Sequence, residues 1–201
     1  MIKLLRTILT GGLLLSMAAA SPAAAQTRGV RGGVNLSTMT ISPSDALGLE
    51  LGGEVGATGG VFMTLRKAGP WDIEVGGQLS MRRLTFGPNI ADTVTYLEVP
   101  GVVTVGVMKH GRVRVRALGG GSFGYVVAAR ESVFGEASDS VKSAYNSVEL
   151  AAIAGAQAEL SARWSIDVRY LFGLTNPFPV DVTGGTARQR SLQVTAGYRF
   201  K

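Results

Sequence analysis

Ser122 is the residue of this chain whose neighbours look most like the setting of a nucleophile. Gly120-Gly121-Ser122-Phe123-Gly124 fits the G-x-S-x-G pattern of a hydrolase elbow, and Gly119, Gly121 and Gly124 fit G-x-G-x-x-G. Both patterns need a strand that turns into a helix, which lifts a serine hydroxyl clear of the chain or aims backbone amides at a phosphate. Here the segment lies inside a run, Val113 to Val127, that alternates apolar and polar residues, so it reads as strand with glycines that allow close packing. The chain has one histidine, His110, and it precedes Ser122, whereas the elbow's order puts the base after the nucleophile. Asp72 and Glu74 share one parity and could be imagined as an acid pair, but nearby arginines of the same parity make ion pairing their expected role. The absence of cysteine excludes a thiolate metal site, and a single histidine removes most nucleophile–base and imidazole metal schemes. We therefore expect no catalytic residue, no metal and no cofactor.

Charge is the richer signal. The chain of 201 residues carries 20 Lys and Arg against 14 Asp and Glu, a net +6, and 28 glycines, many for a globular protein. Two of the cations, Lys3 and Arg6, stand before an apolar stretch, Ile8 to Ala20, followed by Ala23-Ala24-Ala25. That order is a secretory signal with an A-x-A cleavage site, expected to cover residues 1–25 and leave a mature domain of 26–201. Removing Lys3 and Arg6 takes the net charge from +6 to +4, too small a bias to argue for nucleic acid. The apolar stretch is too short, and too interrupted by Thr10, Gly11 and Gly12, to span a bilayer as a helix. No later stretch approaches that length, so a membrane protein of this sequence must cross with strands.

Eight such strands are expected. Residues 27–37 place Val30, Gly32, Val34 and Leu36 on one face and Arg31, Gly33, Asn35 and Ser37 on the other. Residues 38–54 read as a long connection with a turn signal at Ser42-Pro43-Ser44-Asp45. Further strands are expected at 55–66, 71–86, 93–107, 113–127, 147–160, 164–174 and 188–200, with 128–146 a long polar loop and 175–187 another. Pro100 interrupts the fourth strand, since it cannot donate to a ladder, and a bulge at Pro100-Gly101 would reconcile it. Long and short connections alternate, the last strand ends in apolar Tyr198 and Phe200, and one parity is apolar throughout. The expected fold is all-β: an eight-stranded antiparallel up-and-down transmembrane β-barrel, apolar outside and polar inside, with both termini in the periplasm.

In that barrel, aromatic residues of outward parity form two girdles. Trp71, Trp164, Tyr198 and Phe200 fall at the periplasmic ends of strands, and Phe123, Tyr125, Tyr170 and Phe172 near the opposite ends. Phe62 and Tyr96 fall on the inward set and do not fit. Seven inward cations, Arg31, Arg66, Arg82, Arg114, Arg116, Arg169 and Arg199, face six inward anions, Asp72, Glu74, Glu98, Glu149, Glu159 and Asp167. An eight-stranded barrel is narrow enough for side chains to fill, and unpaired buried charge is costly, so a salt-bridged, mostly plugged lumen is expected. A soluble lipocalin-type cup would need the inverse polarity. Arg83, Arg188 and Arg190 have outward parity at the extracellular strand ends, where cations meet phosphates of lipopolysaccharide or snorkel at the interface.

GVRGGVNLST (29–38), YLEVP (96–100), RYLFGLTN (169–176) and GYRF (197–200) resemble the PorT-like outer-membrane β-barrel family, in order over residues 27–200. The resemblance implies an eight-stranded barrel in a Gram-negative outer membrane and transfers no catalytic residue. Residues 195–200 (TAGYRF) also resemble the C-terminal signal read by the barrel-assembly machinery, although Lys201 follows where that signal ends on its aromatic residue. The expected role is non-enzymatic, envelope structure or surface interaction, with a narrow porin for small solutes as the alternative. The expected partners are outer-membrane lipid, lipopolysaccharide and the assembly machinery.

Overall fold

Period-two alternation of apolar and polar residues becomes extended chain throughout. A computed structural model describes residues 26–42, 51–66, 70–86, 90–133, 136–178 and 186–200. The expected signal sequence, residues 1–25, lies outside the described residues, as do most of the turn at 42–45 and the one at 87–89. The strands are β1 (Gln26–Ser42), β2 (Leu51–Arg66), β3 (Trp71–Phe86), β4 (Ile90–His110), β5 (Val113–Val133), β6 (Glu136–Ser140), β7 (Val148–Glu159), β8 (Trp164–Gly173) and β9 (Thr186–Arg199). Leaving β6 aside, each strand pairs antiparallel with the next one in sequence, β5 with β7, and β1 pairs with β9, so eight of them close a ring. β6 stands apart: it pairs only with the end of β5, above the point where β7 begins.

The polarity of the ring is that of a membrane barrel. Along β8 exposure alternates residue by residue, with Trp164, Ile166, Val168, Tyr170 and Phe172 out and Ser165, Asp167, Arg169 and Leu171 in. Val34 is 51% exposed and Val61 59%, whereas Arg169 is 2% exposed. Apolar area on this scale is stable only against another apolar phase.

Towards the end of the ring that carries β6, the polarity reverses. There the inward residues are Met39, Leu84, Val94, Val126, Ala129 and Ala187, joined by Tyr145 and Phe178 from the connections, in one buried apolar cluster. Outward positions at the same level are Thr38, Thr40, Arg83, Thr95 and Arg130. This is the pattern of a sheet in water, and it marks where the barrel leaves the bilayer. It also corrects two expectations. Residues 38–42 continue β1, and residues 128–133 continue β5 instead of opening a loop. Both were read as connections because the apolar parity changes sides there.

The expected bulge at Pro100-Gly101 is not present. β3 and β4 keep one register from Trp71↔Val105 to Thr85↔Ala91, but pairing lapses between Val75↔Gly101 and Gln78↔Glu98, where Gly76 and Gly77 lie opposite Pro100 and Val99. The residue opposite the missing amide, Gly76, has no side chain, and the register is the same on either side of the gap. Register shifts in β4 fall instead against β5, at Thr95/Tyr96 and Gly106/Met108. The turn between β4 and β5 is tight because Gly111 takes φ 57°, a left-handed conformation that disfavours side chains.

Candidate functional site

The lumen is where this chain concentrates its chemistry. Each strand delivers inward side chains at every second residue, and a ring of eight brings opposite walls within side-chain reach. Arg31 on β1 reaches Glu74 on β3 at 2.5 Å and Asp167 on β8 at 3.3 Å. Arg169 on β8 reaches the same two carboxylates, at 2.7 Å and 3.3 Å. Two guanidiniums and two carboxylates therefore form a closed group that ties β1, β3 and β8 together, with Arg31 also lying over the ring of Phe62 at 4.3 Å.

Further along β3, Arg82 holds a second group. Its Nη1 donates to both oxygens of Glu149 on β7, at 2.8 Å and 3.0 Å, and to Gln189 on β9 at 3.0 Å; its Nη2 donates to Glu98 on β4. The Tyr96 ring lies under the guanidinium at 4.4 Å, and its hydroxyl donates to Gln189 at 3.1 Å. Gln78 links Glu98 (2.6 Å) to Gln193 (3.3 Å). Arg116 pairs with Asp72 at 2.7 Å, and Arg199 with Glu159 at 3.0 Å. Arg114, half exposed at the turn end, lies 3.8 Å from Glu159. Every inward arginine with a described side chain meets a carboxylate. The side chain of Arg66 lies outside the described residues.

Burial decides what the arrangement can do. Arg82 and Arg169 are 2% exposed, and Glu98, Asp167 and Gln193 are 1% exposed. Side chains so inaccessible are packed against protein and do not line a water-filled column. The charges are hydrated by one another, and removing one partner would leave an uncompensated ion. Above these groups the apolar cluster around Leu84 and Val94 covers the lumen, and Tyr145 donates to Asp92 at 2.5 Å while stacking on Phe178 at 4.9 Å. Burial and the Asp92 carboxylate push the Tyr145 phenol up, so it stays a donor.

Sequence parity anticipated the charged members but assigned no role to Phe62, Tyr96, Gln78, Gln189 or Gln193. Their signal was inward parity itself. Tyr145 and Phe178 lie outside the ring strands and gave no periodic signal.

Ser122 is buried in the wall of β5, paired with Pro100 and Ala151. His110 pairs with Val113 at the turn end. At the usual rise per residue the two positions are roughly 30 Å apart along β5, so they form no dyad. The neighbouring Gly120 has a packing role: a Cβ there would lie 2.1 Å from the Gly101 carbonyl oxygen.

The outward aromatics cluster by height. Trp164 packs edge-on to Tyr198 at 5.0 Å, and Tyr198 to Phe200 at 5.8 Å, with Trp71 at the same end of β3. Phe123, Tyr125, Tyr170 and Phe172 lie exposed further along β5 and β8. Trp164 and Phe172 are about 27 Å apart along β8 at the strand rise, or about 20 Å along the normal after tilting. Arg83 pairs with Glu54 at 3.1 Å. Arg190 lies over Phe172 at 5.4 Å, and Arg188 donates to the Leu174 and Gly173 carbonyls. Neither Arg188 nor Arg190 meets a carboxylate among the described residues.

The profile of a family described as the outer membrane protein beta-barrel domain matches residues 10–200. The chain belongs to that family. Membership puts the barrel in a Gram-negative outer membrane. No curated protein matches in sequence. Among solved structures, Neisserial surface protein A is similar at 11% identity and a TM-score of 0.52, over 86% of this chain and 97% of that one. Ail, the attachment invasion locus protein of Yersinia pestis, is similar at 17% identity and a TM-score of 0.48, over 87% and 98%. OprG from Pseudomonas aeruginosa follows at 12% identity and 0.44, over 88% and 97%. The likeness to the Neisserial protein is one of fold.

Proposed function

We propose that the barrel is a non-enzymatic envelope protein, a rigid outer-membrane scaffold that carries a surface-facing end, with a lumen that does not conduct. The near-complete burial of Arg82, Arg169, Glu98 and Asp167 at mid-lumen carries this reading. A diffusion pore needs a hydrated column, and cross-wall ion pairs occupy that space here. The alternative, a narrow porin, is tested directly. The refolded barrel is inserted into planar bilayers, and conductance is recorded over hours at high salt. Steady unitary openings would replace the scaffold reading with the porin.

The finer placement belongs to the same proposal. The chain is read as a PorT-like member, inserted by the barrel-assembly machinery after cleavage before Gln26, with both termini in the periplasm. The inverted, water-adapted end with β6 supports an exterior position for that end, since it would meet the aqueous medium beyond the bilayer. Arg188 and Arg190, cations without carboxylate partners among the described residues, the latter over Phe172, are read as contacts for lipopolysaccharide phosphates. Protease added to intact cells should cut near Lys142 and leave the chain ends uncut.

A further inference from the structure

The lumenal charges do not balance at the turn end of the barrel. Deeper inside, Arg31, Arg82, Arg116 and Arg169 each sit against one or two carboxylates. At the mouth, a cavity of about 360 Å³ is lined by Lys109, Arg112, Arg114 and Arg199 with a single acid, Glu159. Arg199 forms the floor, 5% exposed, and divides its guanidinium between Glu159 and Gln157. Arg114 holds Glu159 only loosely at 3.8 Å, and Lys109 and Arg112 meet no carboxylate among the described residues. The turns after β4 and β7 bring these groups over one side of the opening. Four cations around one carboxylate leave an uncompensated charge of about +3 facing a confined, partly desolvated space, where an anion gains more than it would in open water.

We propose that this mouth binds a phosphate-bearing polyanion. A carboxylate brings one charge, whereas a phosphate monoester or diphosphate brings two or more on a compact group. Its several oxygens suit three guanidinium forks and an ammonium. The ligand is either a soluble phosphate ester or the headgroup of an acidic phospholipid folded over the rim. That the mouth faces the periplasm rests on the orientation proposed above; the binding does not, and a failed titration would leave the protease result on orientation untouched.

The test uses the mature chain refolded in maltoside micelles at about 20 mM salt, where screening is weak. Calorimetric titration with sodium pyrophosphate is run beside titrations with short-chain phosphatidic acid, whose headgroup is a phosphate monoester, and phosphatidylcholine. One pyrophosphate site per barrel supports a soluble ligand. Saturation by phosphatidic acid, but by neither pyrophosphate nor phosphatidylcholine, supports a headgroup. The double variant Lys109→Glu/Arg112→Glu should weaken binding by about tenfold or more, the loss of two charge-assisted contacts, and Lys109→Arg should retain it. Both positions are exposed, Lys109 at the end of β4 and Arg112 in the turn that follows, and a heat-modifiable band on gels checks that each variant folds. Absence of binding in all three titrations, or equal binding by the charge-reversed variant, overturns the proposal.

Discussion

Replacing Arg82 tests whether the lumen is held by paired charge. Arg82→Met keeps much of the aliphatic stem and removes the guanidinium that Glu98 and Glu149 share. Those carboxylates are 1% and 5% exposed, so neither recovers water once the cation is gone. Breaking a buried pair costs about 3–5 kcal/mol, and two stranded carboxylates place this variant at the upper end, with ~0.5–2 kcal/mol more for the lost contact with the Tyr96 ring. The triple variant Arg82→Met/Glu98→Gln/Glu149→Gln removes the whole charge group. Neutral, volume-conserving replacement of buried ions is often neutral or stabilising, so the triple should return to within about 2 kcal/mol of the parent. Urea unfolding in micelles, followed by the fluorescence of Trp71 and Trp164, reads both. A loss under about 1 kcal/mol in the single variant, or a triple no more stable than the single, would refute the reasoning.

Three further outcomes are expected. Gly120→Ala should destabilise the barrel by about 1–3 kcal/mol, because its methyl group meets the Gly101 carbonyl. Gly119→Ala, whose nearest contact would be 3.9 Å away, should be tolerated, and urea midpoints compare the two. Arg188→Glu/Arg190→Glu should lower the lipopolysaccharide that co-purifies with the barrel; unchanged lipid content would remove these residues from any such contact. Tyr145→Phe removes the hydrogen bond to Asp92 and should speed tryptic cleavage after Lys142 by about tenfold or more while leaving the ring folded, since a lost hydrogen bond to a buried charge costs about 1.5–3 kcal/mol.

The ring was legible because bilayer and lumen impose opposite demands on alternate residues. Val30, Val34 and Leu36 against Arg31, Asn35 and Ser37 can be assigned faces without any structure. The same logic failed above the bilayer, where Met39 is buried and Thr38 and Thr40 are exposed, so the apolar parity exchanges faces within one strand. Pro100 was misread for a different reason. A proline in a closed barrel calls for an irregularity, but which one depends on the partner strand, and Gly76-Gly77 supplied a gap in pairing instead of a bulge. The charge groups were legible as a set but not as pairs. That Arg31 meets Asp167 depends on closure between β1 and β9, which no local pattern records. Tyr145 and Phe178 act through long-range packing over the lumen, and neither lies in a ring strand.

The exchange of polarity along β1, β3, β4 and β5 means that one continuous sheet is folded in two solvents. Around Val34, Val61 and Val168, a valine-to-threonine change carries a hydroxyl into hydrocarbon and should destabilise. At Thr40 or Thr95 the reverse change adds apolar surface to water, leaves the fold nearly untouched and makes that end adhesive. The lower wall should therefore respond to bilayer thickness, whereas the cluster around Leu84 and Val94 should weaken on cooling, as water-driven cores do. A strand a few residues longer than the membrane needs has thereby become two materials joined end to end.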